Sequence, residues 1–411
     1  MTLSFFISKK LIFSKSHKSS VSSPIIKIAV AAIAISVTMM IVSVATGVGL
    51  QLKIREKIAA FSGHIIISHF DSNQSQVTVS PIDLNQDFYP KFKNVTNISH
   101  IQAIATKAGI IRTATAFEGI IFKGVGKDYQ WKNLQEYLVA GKIPDLKQPI
   151  TTQILISQYL AHRLSLKVGD NCNTFFMKDS NNQLPNLRVF QISGIYNSGF
   201  QDFDATYIVG DIQHIQKINR WTPLQVGAFE VFVNDFSQIQ QKGQEVYQNI
   251  NSKLNAQTIV EKFAYIFDWL KLFDFNIIII IIIMIAVSSI NMAVTLLVLI
   301  LERTQTIGIL KALGASNWSI RKIFLLNAAY LVGSGLLWGN MIALLILLVQ
   351  KHTGIITLNP SSYYVNQAPV SINPIHILAI NAITVIICLC VLVIPSYIIT
   401  KISPIKAIRY Q

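Results

Sequence analysis

The chain has 411 residues, of which 51% are hydrophobic and only 13% charged. That charged share is well below the roughly 25% of an ordinary soluble domain, which excludes a soluble class. The formal net charge of +15 would suit a nucleic-acid ligand only if the basic residues clustered on a solvated face, and they do not.

Residues 1–27 carry Lys9, Lys10, Lys15, Lys18 and Lys27 and no acid. Within them "LSFFISKKLIFSKSHK" mixes aromatic and aliphatic residues with lysines, as a helix lying in a membrane interface would; a disordered basic leader is the alternative. Residues 28–50 form a charge-free apolar run. It exceeds the roughly 7–15 residues of a signal-peptide core, so an uncleaved membrane helix is expected.

Residues 51–275 hold 22 basic and 19 acidic side chains, a balance that fits a solvated domain. Strand-like alternation in "GHIIISHF", "GIIFKGVG", "CNTFFM", "LRVFQISGIY", "ATYIVG" and "FEVFVNDF" is interleaved with helical patterns in "TQILISQYLAHRLSL" and "FSQIQQKGQEVYQNINSKL". An α+β domain, large enough for two subdomains, follows. Cys172 is alone in this region, so no internal disulfide holds it together.

The two ends of the domain carry helical spacing. Leu50, Ile54, Ile58 and Phe61 continue the first apolar run, and Ile266, Leu270, Phe273 and Ile277 lead into the second. Each reads as a stalk extending a membrane helix; amphipathic helices packed on the domain are the other reading. Trp269 and Phe273 also suit an aromatic interface belt. "NCNTFFM" and "LRVFQISGI" read as two strands joined by residues 178–186, whose polar, proline-containing composition signals an exposed hairpin tip, with Leu184 and Pro185 its apolar members and Phe176 and Met177 flanking it.

Three further charge-free spans follow at 276–301, 323–350 and 375–400. Between them lie a loop at 302–322 and an external loop at 351–374, and a tail covers 401–411. Arg303, Lys311, Arg321 and Lys322 face only Glu302 in the first loop, and Lys401, Lys406 and Arg409 lie in the tail. With the N-terminal segment, these stretches hold twelve basic residues and one acid, which is +11 of the total charge. The positive-inside rule places all three in the cytoplasm and residues 51–275 outside. The fold class expected is therefore an α-helical membrane protein with four transmembrane helices and a large α+β periplasmic domain inserted between helices 1 and 2. Cys388 and Cys390 lie within the last span and read as apolar fillers in preference to a soft-metal site.

Catalytic patterns are missing. "GVGKDY" and "AGKIP" lack the spacing and hydroxyl residue of a phosphate-binding loop. His64 and His69 have no accompanying metal-ligand motif. No acidic or basic residue lies inside the four spans, which disfavours a proton- or sodium-coupled transporter. Asn291, Asn327, Asn340 and Asn381 read instead as interhelical hydrogen-bonding groups. No metal, cofactor or nucleic acid is expected on this chain.

The loop sequence "ERTQTIGILKALGAS" predicts a short helix with Ile307, Leu310, Leu313 and Gly314 on one face. Gly308 permits close approach, Lys311 lies off the ridge, Gly314 ends the helix and Ser316 caps the next one. Such a ridge fits helix-in-groove docking, and an interfacial helix resting on lipid is the alternative.

"LERTQTIGILKALGAS" resembles the cytoplasmic coupling segment of FtsX-like, type VII ABC permeases, and the layout of one helix, a large external domain and three further helices agrees with that family. "ILISQYLAHRLSLKVGD" and "FQISGIYNSGFQDFDATYIV" look most like its lipoprotein-releasing members, LolC and LolE. MacB, a relative with a fused ATPase domain, differs in that respect. The resemblance implies a dimeric inner-membrane permease, made of two copies or of paralogues, that is not itself an enzyme. It implies a LolD-like ATPase as the carrier of ATP and Mg, docked on Ile307, Gly308, Leu310, Leu313 and Gly314. It also implies mechanotransmission through the stalks, a lipoprotein substrate, membrane lipid as a partner, and a LolA-like periplasmic chaperone at the hairpin of Phe176, Met177, Leu184 and Pro185. The hairpin looks shorter than in LolC-like proteins. Efflux or envelope signalling by an FtsX/MacB-type permease, and a membrane-anchored sensor without an ATPase, are the alternatives.

Overall fold

A computed structural model describes residues 22–72, 80–146, 150–177 and 185–402. The chain divides into a helical unit (1–51, 269–357 and 367–411) and an α/β unit (52–268 and 358–366).

In the described residues, four helices are long and apolar enough to cross a membrane: Pro24–Ser62, Ala264–Glu302, Asn317–Thr353 and Pro374–Lys401. The first belongs to an unbroken helix, Ser22–Ser62, of 41 residues, or about 60 Å against a hydrocarbon layer of about 30 Å. Inside the helical unit Ile33, Val37 and Ile41 of this helix pack with Met292, Leu296 and Ile300 of the second and Phe324, Ala328 and Val332 of the third. Small residues allow the first and third helices to meet closely. A Cβ on Gly335 would lie 2.7 Å from Ile33, and one on Gly339 would lie 2.8 Å from the Ala34 carbonyl. Thr38 donates from its hydroxyl to the Gly339 carbonyl at 3.1 Å, a polar contact of the kind that joins helices in lipid. Asn340 and Asn381 exchange side-chain hydrogen bonds at 2.8 and 2.9 Å across the third and fourth helices.

The α/β unit is built on twelve strands: β1 (Ile65–His69), β2 (Ile82–Asp83), β3 (Ile98–Arg112), β4 (Phe117–Val125), β5 (Leu138–Gly141), β6 (Gln153–Ser157), β7 (Asn171–Phe176), β8 (Asn186–Tyr196), β9 (Tyr207–Asp211), β10 (Gln225–Val226), β11 (Ala228–Val233) and β12 (Leu254–Thr258). Ten of them form one sheet and β2 pairs with β10. The order β3-β4-β9-β6-β8 closes through β7, which pairs with both β8 and β3. Six strands thus make a ring without a free edge. β3 makes this possible because its 15 residues are well beyond the usual five or six. Its first half pairs with β11, extending the sheet through β1 to β12, while its second half pairs with β4 and β7. Phe122, Phe176, Phe190, Ile154 and Ile208 fill the ring. The helix Ile212–Asn219 follows β9, with Asp211 accepting from the Gln213 amide at its start.

Two features differ from the sequence reading. "TQILISQYLAHRLSL" is not helical throughout: it starts as β6 and turns into the helix Gln158–Arg163, where the Ser157 hydroxyl accepts from the Leu160 amide. The apolar run Ile154, Leu155, Ile156 is wholly buried, and short buried strands carry no alternation that would separate them from a helix. Second, residues 358–366, in the loop between the third and fourth long helices, group with the α/β unit.

Candidate functional site

The helix expected between the second and third spans is present at Thr304–Ala312. Gly314 follows it at φ +86, the left-handed geometry that favours glycine after a helix. Ser316 then caps the third long helix by accepting from the Ser319 amide.

The apolar ridge is divided between two environments. Ile307 and Gly308 are buried and Leu310 is half-buried, packing in the core of the helical unit. They face this chain, so in this structure they are not available to a partner. Leu313 is 79% exposed and Ile309, absent from the expected ridge, is 47% exposed. Gly314 is also exposed. The free apolar edge of the helix is therefore Ile309 and Leu313.

Two cations anchor this end of the helical unit. Lys311 donates to the carbonyls of Ile399 at 2.7 Å and Ile402 at 2.8 Å, at the end of the short helix Ile398–Lys401. A cation suits the unsatisfied carbonyls of a helix C-terminus. Desolvation lowers the pKa of its ammonium. Arg321 donates from Nε to the Ser396 hydroxyl at 3.2 Å and lies 5.7 Å from the ring centres of Trp318 and Tyr397. The loop helix is thus tied to the last helix of the bundle, and a load on Leu313 would be carried into the bundle. Sequence reading placed Lys311 off the docking ridge without finding this role. The available signal was a lysine within reach of another helix's terminal carbonyls, and that pairing is set only by tertiary packing.

The residues read as stalks are mostly buried. Ile54, Ile58 and Phe61 are buried in the α/β unit, and Ile266 with them. Of these, Phe61 packs on the rings of Tyr137, Tyr196 and Phe203 in that unit. In the helical unit Leu270 is buried, while Phe273 is half-buried and meets Trp269 edge-on at 4.8 Å. Gln51 donates to the Asp274 carboxylate at 2.7 Å, joining the first and second long helices near Leu270.

The expected hairpin strands are β7 and β8, paired antiparallel from Asn171↔Gln191 to Phe176↔Asn186. Phe176 cannot touch a carrier in this conformation: it is fully buried, edge-on to Phe122 at 5.8 Å and Phe190 at 6.3 Å. Alternation decides this, because β7 turns Cys172, Thr174 and Phe176 inward. Met177 is 64% exposed and Pro185 is exposed. Leu184 and the rest of 178–184 lie outside the described residues, as do residues 1–21 and 403–411. Beside the hairpin, Ile110, Phe117, Leu187 and Val189 are exposed apolar residues that the sequence reading did not single out.

Comparison with known proteins gives two family matches. The FtsX-like permease C-terminal model matches residues 278–404, and the MacB-like periplasmic core domain model matches residues 28–260. The chain is 21% identical over 290 residues to the lipoprotein-releasing system transmembrane protein LolC of Xylella fastidiosa, covering 68% of this chain and 69% of the relative. It is 21% identical over 324 residues to LolC of Haemophilus influenzae, covering 77% and 76%. Among solved structures, the extracellular domain of the noncanonical ABC-type transporter YknZ from Gram-positive bacteria aligns with TM-score 0.32 and 12% identity, covering 47% of this chain and 99% of that one. The periplasmic region of MacB from Actinobacillus actinomycetemcomitans aligns with TM-score 0.33 and 10% identity, covering 48% and 88%.

Proposed function

Because this chain belongs to the FtsX-like permease family and carries a MacB-like periplasmic core domain, we propose that it is the membrane subunit of an ABC transporter that releases lipoproteins from the bacterial inner membrane to a periplasmic carrier. The ATP and Mg are held by a separate LolD-like ATPase, and a second copy or a paralogue completes the permease. LolC relatives at 21% identity support the lipoprotein substrate. In this reading the large domain lies in the periplasm between the first two membrane helices and is moved by mechanotransmission, with no solute path through the bilayer.

The observation that carries the reading is the loop helix Thr304–Ala312, braced by Lys311 on the last helix while Ile309 and Leu313 stay exposed. An apolar edge on a rigid mount is what a partner needs in order to push on the bundle. Leu313→Glu is expected to abolish co-purification of the ATPase while the permease still inserts in the membrane; ATPase capture at the wild-type level would refute the docking edge. Depletion of the chain separates the cargo readings. Lipoproteins accumulating in the inner membrane support release, whereas their normal export with impaired efflux or division supports an FtsX/MacB-type role.

A further inference from the structure

The segment "NSGFQDFDATY" at 197–207 belongs to the stretch that most resembles the lipoprotein-releasing permeases, and neither the docking edge nor the hairpin uses it. In the α/β unit it forms the short helix Gln201–Asp204. Three chain segments that run on into the membrane helices meet there. From the first long helix, Phe61 stacks on Phe203 at 5.1 Å. From the start of the second, Phe263 lies 5.8 Å from Phe203 and 6.4 Å from Phe200, and the Tyr265 hydroxyl donates to the Asp202 carboxylate. From the loop between the third and fourth, Tyr364 packs on Phe200 at 4.9 Å.

A buried amine ties these lines together. Lys57, on the first long helix, donates to the Tyr364 carbonyl at 2.6 Å and lies 5.6 Å from the Tyr137 ring. Desolvation lowers its pKa to about 8, opposed by the nearby Asp204 carboxylate. Asp204 in turn accepts from the Ser198 and Gly199 amides, each at 3.0 Å. Tyr364 adopts φ +59, a conformation that a bulky residue takes only when its surroundings impose it. The same loop carries Pro360 and Asn366 to the wall of a cleft of about 570 Å³ that Arg163 and Asn197 also line. The loop tip is thus clasped at Tyr364 and open beside it, as a working joint would be.

We infer that this junction is where the α/β unit is driven, and that the 358–366 loop is a third drive line beside the first and second membrane helices. Lys57 and Tyr364 are positioning residues: they hold the loop tip on the helix that Phe61 and Phe263 also grip. The inference rests on the transporter reading, and it concerns how force reaches the domain whatever the cargo.

The test uses the full permease with its ATPase in lipid nanodiscs, comparing wild type with Tyr364→Ala, Lys57→Met and Lys57→Arg. Hydrogen exchange in the ring strands 171–176 and 186–196 is followed with and without ATP, alongside ATP hydrolysis and lipoprotein release. The wild type is expected to show an ATP-dependent change in exchange. Tyr364→Ala and Lys57→Met should lose that change and lower release per ATP roughly tenfold, within the range of measured coupling between sites, with ATP hydrolysis retained at a temperature where each variant is still folded. Lys57→Arg should restore the change, because it keeps a donor. A full ATP-dependent change in both loss variants would overturn the inference. An ATP-dependent change in the wild type without lipoprotein release would overturn the cargo reading and leave the junction standing. No change in the wild type would overturn transmission itself.

Discussion

The two units bury polar groups in opposite ways. Within the apolar spans of the helical unit the polar contacts between helices are neutral, such as buried Thr38 on the Gly339 carbonyl and the half-buried Asn340–Asn381 pair. In the α/β unit a full ion pair lies inside: Lys123 and Glu230 meet at 2.6 Å with side chains 4% and 2% exposed. Lys123 also donates to the Phe61 carbonyl at 2.6 Å, near the end of the first long helix, and Gln102 donates to the other Glu230 oxygen at 2.8 Å. A charge that is desolvated needs every lone pair and proton satisfied, and here Gln102 on β3 and the Phe61 carbonyl complete the pair formed between β4 and β11. Between lipid-facing helices that density of partners is harder to build, so uncharged side chains are used.

Breaking the ion pair is the most severe test of this contrast. Lys123→Met leaves Glu230 buried without its cation, and is expected to destabilise the α/β unit by about 3–5 kcal/mol, read as a lower thermal midpoint of the detergent-solubilised chain. Replacing both partners with apolar residues should recover most of the loss. A single substitution that costs nothing would show that water reaches the pair.

Acid should find a second weak point in the same unit. His64 is half-buried against Phe232 and Phe236, and its Nδ1 accepts from the Val233 amide at 3.0 Å. Burial holds its pKa down to about 4 against an ordinary 6.5. Below pH 6.5 the unfolded chain binds a proton that the folded chain refuses, so stability falls as pH drops from 6.5 to about 4, by roughly 3 kcal/mol in all. His64→Asn should flatten that part of the pH–stability curve. An unchanged slope would assign the acid loss to other groups.

The smallest effect is expected in the helical unit. Asn381→Leu removes one half of the Asn340 pair, and such contacts between membrane helices average about 0.6 kcal/mol. The shift should be near the limit of a thermal-denaturation measurement with the permease in lipid. A loss as large as that of Lys123→Met would erase the distinction between the units.

Much of the fold was legible because long apolar runs and strand alternation are local signals. The spans, β1, β4, β7, β8, β9 and β11, and the loop helix with its Gly314 stop and Ser316 cap could all be read from spacing. β6 was hidden inside a helical pattern, and β3 was missed because residues 101–105 are buried on both faces, while further along a buried Lys107 and an exposed Ile110 invert the polar–apolar alternation. At the candidate docking site the helix was readable but its orientation was not. Ile307, Ile309, Leu310 and Leu313 are all apolar, and which of them faces the bundle depends on how the helix leaves the second span and where Lys311 finds carbonyls. Phe176 was read as a flank of the hairpin tip, although Asn171 and Asn173 on the other parity of β7 already mark Cys172, Thr174 and Phe176 as the inward set.

By itself the sequence determined the number and length of the apolar helices, the distribution of charge between their connections, and the presence of a large mixed domain. These properties depend on composition and on periodicity within a few turns or strands, and they survive whatever the rest of the chain does. Tertiary structure alone decided that six strands close into a ring, that Lys123 and Glu230 meet across 107 residues, and that Phe61, Phe263 and Tyr364 converge on one short helix. Each of these rests on contacts between residues far apart in the chain, where the gain from burial and hydrogen bonding appears only once both partners are in place.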